Sequence, residues 1–205
     1  NNMTLVTGFI NIPNENKKIK THCVKKNIYN YLDKSIPTLK IKQNMIIYIP
    51  ENLYTHVYEI RKNLNLLNKT KIIIINDNYL YMNEYLDNIK INCLKNIETY
   101  KNHYYISAVS TRYNFLKDAI KNNYFNTEYT TWIDFGASHC IDINDDTLFK
   151  YNKNKFRIAW IARFDKKNNN FKYNHYVLGG GIFGGKNNIL KKVCDLHDKI
   201  FLDNM

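Results

Sequence analysis

Three short runs of aliphatic, mostly β-branched residues, separated by segments of helical periodicity, constrain this chain more than any other feature. Leu5-Val6-Thr7-Gly8-Phe9-Ile10, Met45-Ile46-Ile47-Tyr48-Ile49 and Lys71-Ile72-Ile73-Ile74-Ile75 are each too short for a helix, and Pro50 and Asn76-Asp77 close the second and third. They read as buried strands. Between the first two, Val24, Ile28, Tyr31 and Leu32 recur at helical spacing, and between the next two Leu53, Val57, Ile60, Leu64 and Leu67 do the same. Parallel neighbours need a crossover, so β-α-β-α-β alternation predicts a mostly parallel sheet covered by helices. Further on, Phe115, Leu116, Ala119 and Ile120 form a helix stripe, Tyr129–Phe135 a fourth strand, Phe156–Phe164 a fifth, and Ile189 to Phe201 an amphipathic helix. No repeat or linker divides the chain, so 1–205 reads as one α/β domain.

Composition removes the other classes. Hydrophobic residues make up 44% and aromatics 14%, enough to repay the entropy of ordering, which argues against disorder. With 7 Gly and 3 Pro there is no collagen period and no Pro/Gly-rich linker. No stretch approaches the roughly 18 apolar residues that cross a bilayer, and residues 1–20 lack the apolar centre of a signal peptide. Cys23, Cys93, Cys140 and Cys194 are far apart with no CxxC pair, which predicts reduced core thiols rather than a zinc site, and a cytoplasmic setting.

Thirty Lys and Arg against 18 Asp and Glu give +12, a surplus that draws nucleic acid, anionic membrane or a phosphorylated ligand. The excess is Lys scattered among 33 Asn, as an A/T-rich genome produces, so the sign alone does not choose a partner.

Ligand sites of a parallel sheet lie beyond the carboxyl ends of its strands. That rule points to Thr7-Gly8, to Asn76-Asp77 and to the segment after Trp132-Ile133. In Trp132-Ile133-Asp134-Phe135-Gly136-Ala137-Ser138-His139 an apolar strand ends in a carboxylate, followed by a potential imidazole ligand. A strand-end Asp can hold a divalent cation, with His139 as a second ligand, and it can equally form a turn or cap a helix. Gly179-Gly180-Gly181-Ile182-Phe183-Gly184-Gly185 holds five of the seven glycines, which predicts backbone that approaches something closely or adopts positive φ. It is not a Walker loop, because Asn187 stands where Ser or Thr should follow Lys186. In Ser110-Thr111-Arg112-Tyr113, Ser110 or Thr111 can cap a helix, leaving Arg112 in its first turn, where a cation needs an anionic partner such as phosphate. A plain surface Arg is the alternative.

The initial Val6-Thr7-Gly8-Phe9, the Ser110-x-Arg112-Tyr113-x-Phe115-Leu116 segment, Trp132-Ile133-Asp134-Phe135-Gly136-x-x-His139 and Gly180-Gly181-x-Phe183-Gly184-Gly185 together resemble the HtrL/YibB-type family of proposed glycosyltransferases. The region Tyr173–Lys199 is also similar to blood-group A/B type retaining transferases, in which an aromatic-rich strand leads through F-G-G into a helix. The resemblance implies a GT-A fold, a Rossmann-like mixed and mostly parallel sheet, with a nucleotide-sugar donor and Mn²⁺ or Mg²⁺. It implies Asp134 at the first position of a D-x-D loop, near donor ribose and metal, with Gly136 in place of the second Asp. It implies Arg112 facing the diphosphate or sugar, Gly180, Gly181, Gly184 and Gly185 flooring the sugar pocket, and Thr7, Gly8 and Asp77 bordering the nucleoside. The chain stops at Met205, where such families continue into a further acidic segment.

The reading is therefore a UDP-sugar-dependent glycosyltransferase (a hexosyltransferase) acting on a glycan or protein acceptor, without nucleic acid as a partner. Asp134 and Arg112 are its catalytic candidates, and Asp134 and His139 its metal ligands. Stereochemical outcome and oligomeric state stay open, with His175, Asp165 and Asp198 as unassigned candidates for an acceptor-side base. The rival readings are a basic nucleic-acid-binding module, whose Tyr residues would stack on bases, and a catalytically inactive relative serving as an interaction domain. The Asn-rich composition also suggests a large DNA virus as source.

Overall fold

A computed structural model describes residues 2–10, 28–76, 79–80, 83–89, 103–139, 155–160 and 178–203. Its centre is a six-stranded mixed sheet made of β1 (Met3–Gly8), β2 (Asn44–Pro50), β3 (Thr70–Ile75), β4 (Tyr129–Ile133), β5 (Arg157–Trp160) and β6 (Leu178–Lys186), in the order β3-β2-β1-β4-β6-β5. β1 pairs in parallel with both β2 and β4, and β2 with β3. β6 runs antiparallel between β4 and β5. This is the mostly parallel α/β sheet that the strand-helix alternation predicts, and it is compatible with a Rossmann-like fold.

Alternation along the strands divides the core into two layers. Leu5, Met45, Ile47, Ile49 and Ile133 face one side, where they bury Leu39 of α1 (Ile28–Leu39) and Val57 of α2 (Tyr54–Asn63). Val6, Ile46, Tyr48, Trp132 and Phe183 face the other, against Phe115, Leu116 and Ala119 of α3 (His103–Asn122) and Leu190 and Cys194 of α4 (Asn187–Asp203). Burial raises the Cys194 thiol to about 12. No described helix is long and apolar enough to cross a membrane.

One strand went unread in the apolar pattern, and one sequence expectation needs correction. The glycine-rich segment is a strand, β6, which apolar patterning does not reveal because glycine supplies no side-chain period and is depleted in strands. None of its glycines has positive φ, so the reason for them is close approach, as the site shows. Ser110 and Thr111 do not cap a helix. α3 begins at His103, both residues are buried within it, and the Thr111 hydroxyl donates to the Ser107 carbonyl at 2.8 Å, a bond available only inside a continuing helix. Of the expected fifth strand, 157–160 is present and 161–164 lies outside the described residues.

Positive φ falls instead on asparagine: Asn65, Asn123 and Asn126 have φ of 57°, 38° and 49°. Asn65 and Asn123 follow the ends of α2 and α3, so the abundant residue does what glycine ordinarily does at helix ends. Arg61 is the largest fully buried side chain among the described residues. Its guanidinium donates to the carbonyls of Leu39 (2.9 Å), Ile41 (2.6 Å), Gln43 (3.3 Å) and Lys69 (3.4 Å) and to Thr70 Oγ1 (2.7 Å). It ties the exit of α1 to the entries of β2 and β3. Burial lowers Arg61 to about 10, so it is still charged at neutral pH.

Candidate functional site

The order β2-β1-β4 contains a point where the chain's direction of travel across the sheet reverses, and at such a point the crevice beyond the carboxyl ends of neighbouring parallel strands is open. β1 ends there at Gly8 and β4 at Ile133. Asp134 is the first residue beyond β4. Its main chain is held on both sides, the N–H donating to the Gly181 carbonyl of β6 at 2.7 Å and the carbonyl accepting from Ala137 at 3.0 Å.

Its carboxylate is held asymmetrically. Trp132, two residues earlier on the same strand, has its side chain on the same face, and its indole Nε1–H donates to Asp134 Oδ1 at 2.7 Å. Arg112 reaches the same oxygen from α3 at 3.4 Å, its guanidinium carbon 5.9 Å from the centre of the Trp132 ring. Trp132 is 2% exposed, while the Arg112 and Asp134 side chains are 18% and 24% exposed, so a buried ring supports a charged pair that solvent still reaches. Among the described residues no donor reaches Oδ2. That oxygen points at Gly181, where a side chain's Cβ would lie 3.3 Å from it. Glycine there puts no side chain over Oδ2. Beside the site, burial raises the Tyr113 phenol, with the Arg112 charge opposing, so Tyr113 is neutral at ordinary pH.

Arg112, Asp134 and Gly181 thus come together, with the neighbouring Gly180 on the same strand. Arg112 does so from the middle of α3 rather than from a first turn, and it pairs with the Asp134 carboxylate. Gly184 and Gly185 do not join them. They pair with Thr131 and Thr130, three and four residues along β6 from Gly181, which is roughly 10 Å or more towards the other end of the sheet. A Cβ on Gly184 would meet Thr131 Oγ1 at 2.5 Å and the Thr130 carbonyl at 2.6 Å, so this glycine lets β6 lie close to β4. Gly8 has a similar reason, a Cβ there meeting Phe115 at 3.0 Å.

Thr7 is fully buried on the face of Leu5, opposite to that of Trp132 and Asp134, and its Oγ1 has no hydrogen-bond partner among the described residues. The backbone of His139 closes a short turn, Ala137–His139, and its side chain is outside the description. Asp77, Asp165 and His175 also lie outside the described residues. Asp198 is in the α3–α4 contact, bonded to Lys117 and 3.4 Å from His197 Nδ1. His197 stacks on Tyr113 with ring centres 3.8 Å apart.

Sequence pattern did not single out Trp132 for a role, although its spacing of two from Asp134 on a strand puts both side chains on one face. No group of three His, Cys, Asp or Glu able to hold a metal occurs among the described residues. One oxygen without a donor fits a different arrangement, since Mg²⁺ is commonly held by one or two carboxylates with the rest of its shell supplied by substrate phosphates and water.

A family described as "Bacterial protein of unknown function (HtrL_YibB)" matches residues 1–203. No curated protein and no solved structure matches the chain.

Proposed function

We propose that this chain, which belongs to the HtrL_YibB family, is a nucleotide-sugar-dependent glycosyltransferase of GT-A type. The donor is a UDP-sugar and the acceptor a glycan or protein hydroxyl. The observation that carries the reading is the Asp134 carboxylate at the sheet's reversal point, with one oxygen tied to Trp132 and Arg112 and the other, beside Gly181, without a donor among the described residues. A carboxylate that served only as a turn former has no need of an arginine beneath it or of glycine across from it.

Each residue has a defined task in this reading. Arg112 presents a fork that pairs with phosphate oxygens and offsets the charge developing on the departing nucleotide diphosphate. Asp134 Oδ2 holds Mn²⁺ or Mg²⁺, which when bound supplies Lewis-acid stabilisation of the diphosphate. Gly181 keeps the space over Oδ2 free for the donor. The net charge of +12 favours approach of an anionic donor. The free thiol Cys194 and the wide spacing of the cysteines support a reducing, cytoplasmic setting. A viral source rests on the Asn-rich composition alone, and the family description is of bacterial proteins.

Thermal denaturation with UDP or GDP, each with Mn²⁺ or with EDTA, and with single-stranded oligonucleotides tests the reading, because a ligand bound only by the folded state raises the transition. UDP with Mn²⁺ is expected to give the largest shift, and release of UDP from a UDP-sugar to accompany it. A shift with oligonucleotides alone overturns the proposal in favour of a nucleic-acid-binding module.

A further inference from the structure

Trp132 touches both charged members of the site, and does so with different parts of one side chain. Its indole N–H donates to Asp134 Oδ1, and its ring lies against the Arg112 guanidinium. The ring is immobilised by burial at 2% exposure in the layer that contains Phe115 and Phe183. A buried N–H must find an acceptor, and here the acceptor is one named oxygen of a carboxylate whose other oxygen has no donor among the described residues. Rotation of the carboxylate about its Cβ–Cγ bond would break this bond and leave the indole N–H unsatisfied.

We infer that Trp132 is a positioning residue. It fixes the rotation of the Asp134 carboxylate so that Oδ2 faces the gap beside Gly181, and it holds Arg112 against Oδ1 so that the cation stays off Oδ2. The inference deepens the transferase reading and rests on it for the identity of what meets Oδ2. Positioning partners of a ligating group commonly change affinity by 10- to 100-fold although they do not touch the ligand. Trp132 acts in this way through Asp134, so its contribution disappears when residue 134 can no longer offer the charged oxygen.

The test uses the full chain as wild type, Trp132→Phe, Asp134→Asn and the double variant, with UDP plus Mn²⁺ and Mn²⁺ alone as probes. Phenylalanine keeps an aromatic ring and removes the N–H. A second replacement at position 132, benzothienylalanine, keeps the bicyclic shape and removes only the N–H, so the test survives if phenylalanine packs poorly. Either replacement is expected to weaken both probes about tenfold or more in the otherwise wild-type chain, and by less than about twofold in the chain that also carries Asp134→Asn. Equal losses in both backgrounds, or no loss in the first, overturn the inference, because a purely structural tryptophan acts independently of residue 134.

A second measurement needs no ligand. In the unliganded protein the Trp132 indole N–H NMR signal is expected to exchange slowly with solvent in the wild type and faster in Asp134→Ala, which removes its acceptor. Equal exchange in the two proteins overturns the inference. If the wild type binds neither UDP nor Mn²⁺, the transferase reading falls, and the indole exchange still decides whether Trp132 holds the Asp134 carboxylate.

Discussion

Gly184 and Gly181 sit three residues apart on one strand and fail in different ways when a methyl group is added. At Gly184 an alanine Cβ would lie 2.5 Å from Thr131 Oγ1, 2.6 Å from the Thr130 carbonyl oxygen and 2.7 Å from Thr131 Cα. Two of these atoms are main chain of β4, so relief even to 3.0 Å, the lower limit of real Cβ contacts, requires β6 to move away from β4 by about 0.5 Å. Overpacking of this kind costs about 1–3 kcal/mol, and main-chain resistance puts Gly184→Ala near about 3 kcal/mol. The lower entropy of the unfolded alanine chain offsets about 0.5–1 kcal/mol. The net loss is about 2–2.5 kcal/mol, or about 4–10 °C in transition temperature for a chain of this size. At Gly181 the nearest atom is Asp134 Oδ2 at 3.3 Å, φ is not positive, and a few tenths of an ångström suffice, so Gly181→Ala stays within about 0.5 kcal/mol of wild type. Its methyl group covers Oδ2 instead, and binding of UDP with Mn²⁺ falls. Urea and thermal denaturation of both variants, with nucleotide titration of Gly181→Ala, measure the contrast. A Gly184→Ala protein as stable as wild type, or a Gly181→Ala protein destabilised as much as Gly184→Ala, refutes the division of β6 into a packing end and a site end.

Asp134→Asn keeps the size and an acceptor for the Trp132 N–H but removes the charge, so turnover and manganese-dependent binding should collapse while unliganded stability stays level. Wild-type turnover of a UDP-sugar by this variant, with unchanged manganese dependence, would remove Asp134 from the site. Burial lowers His197 from its ordinary 6.5, with the bond to Asp198 opposing and the Lys117 charge assisting. The unfolded chain therefore binds more protons than the folded one as pH falls through about 6.5, and stability drops on acidification. His197→Phe retains the stack on Tyr113 and should flatten that drop between about pH 7 and 5; denaturation curves with the same pH slope for both proteins would show that His197 does not carry it. Arg61→Lys offers at most three protons to five acceptors and should cost about 3 kcal/mol, read as a fall in the urea midpoint. A midpoint equal to wild type would mean that the carbonyls around Arg61 find other donors.

β1 to β4 were legible because buried parallel strands are written as short β-branched runs, and the observed bounds differ from those read by about two residues. β6 was not legible, since its five glycines carry no face and its reason for being glycine lies in Thr131 and Asp134, about fifty residues away in sequence. The start of α3 was misplaced for a related cause: Ser110 and Thr111, of types that ordinarily mark a helix start, are buried here, and the Thr111 hydroxyl bonds back along the helix. Asp134 could be singled out from its place at a strand end. That Arg112 would reach it could not, because the contact depends on how α3 lies over β4, which local pattern does not encode.

The fork of Arg61 has a bearing on how the cations of this sequence are distributed. Among thirty of them only four are arginine, at 61, 112, 157 and 163, against 26 lysines, so lysine is the default wherever either cation serves. Position 61 departs from that default, because five acceptors arranged around a plane ask for a planar donor set that an ammonium lacks. The same contrast holds at 112, where a flat cation lies against an indole face and reaches a carboxylate at once. At positions 61 and 112, arginine marks places where shape as well as charge is required, and the background of lysine becomes the control against which these two can be picked out by eye.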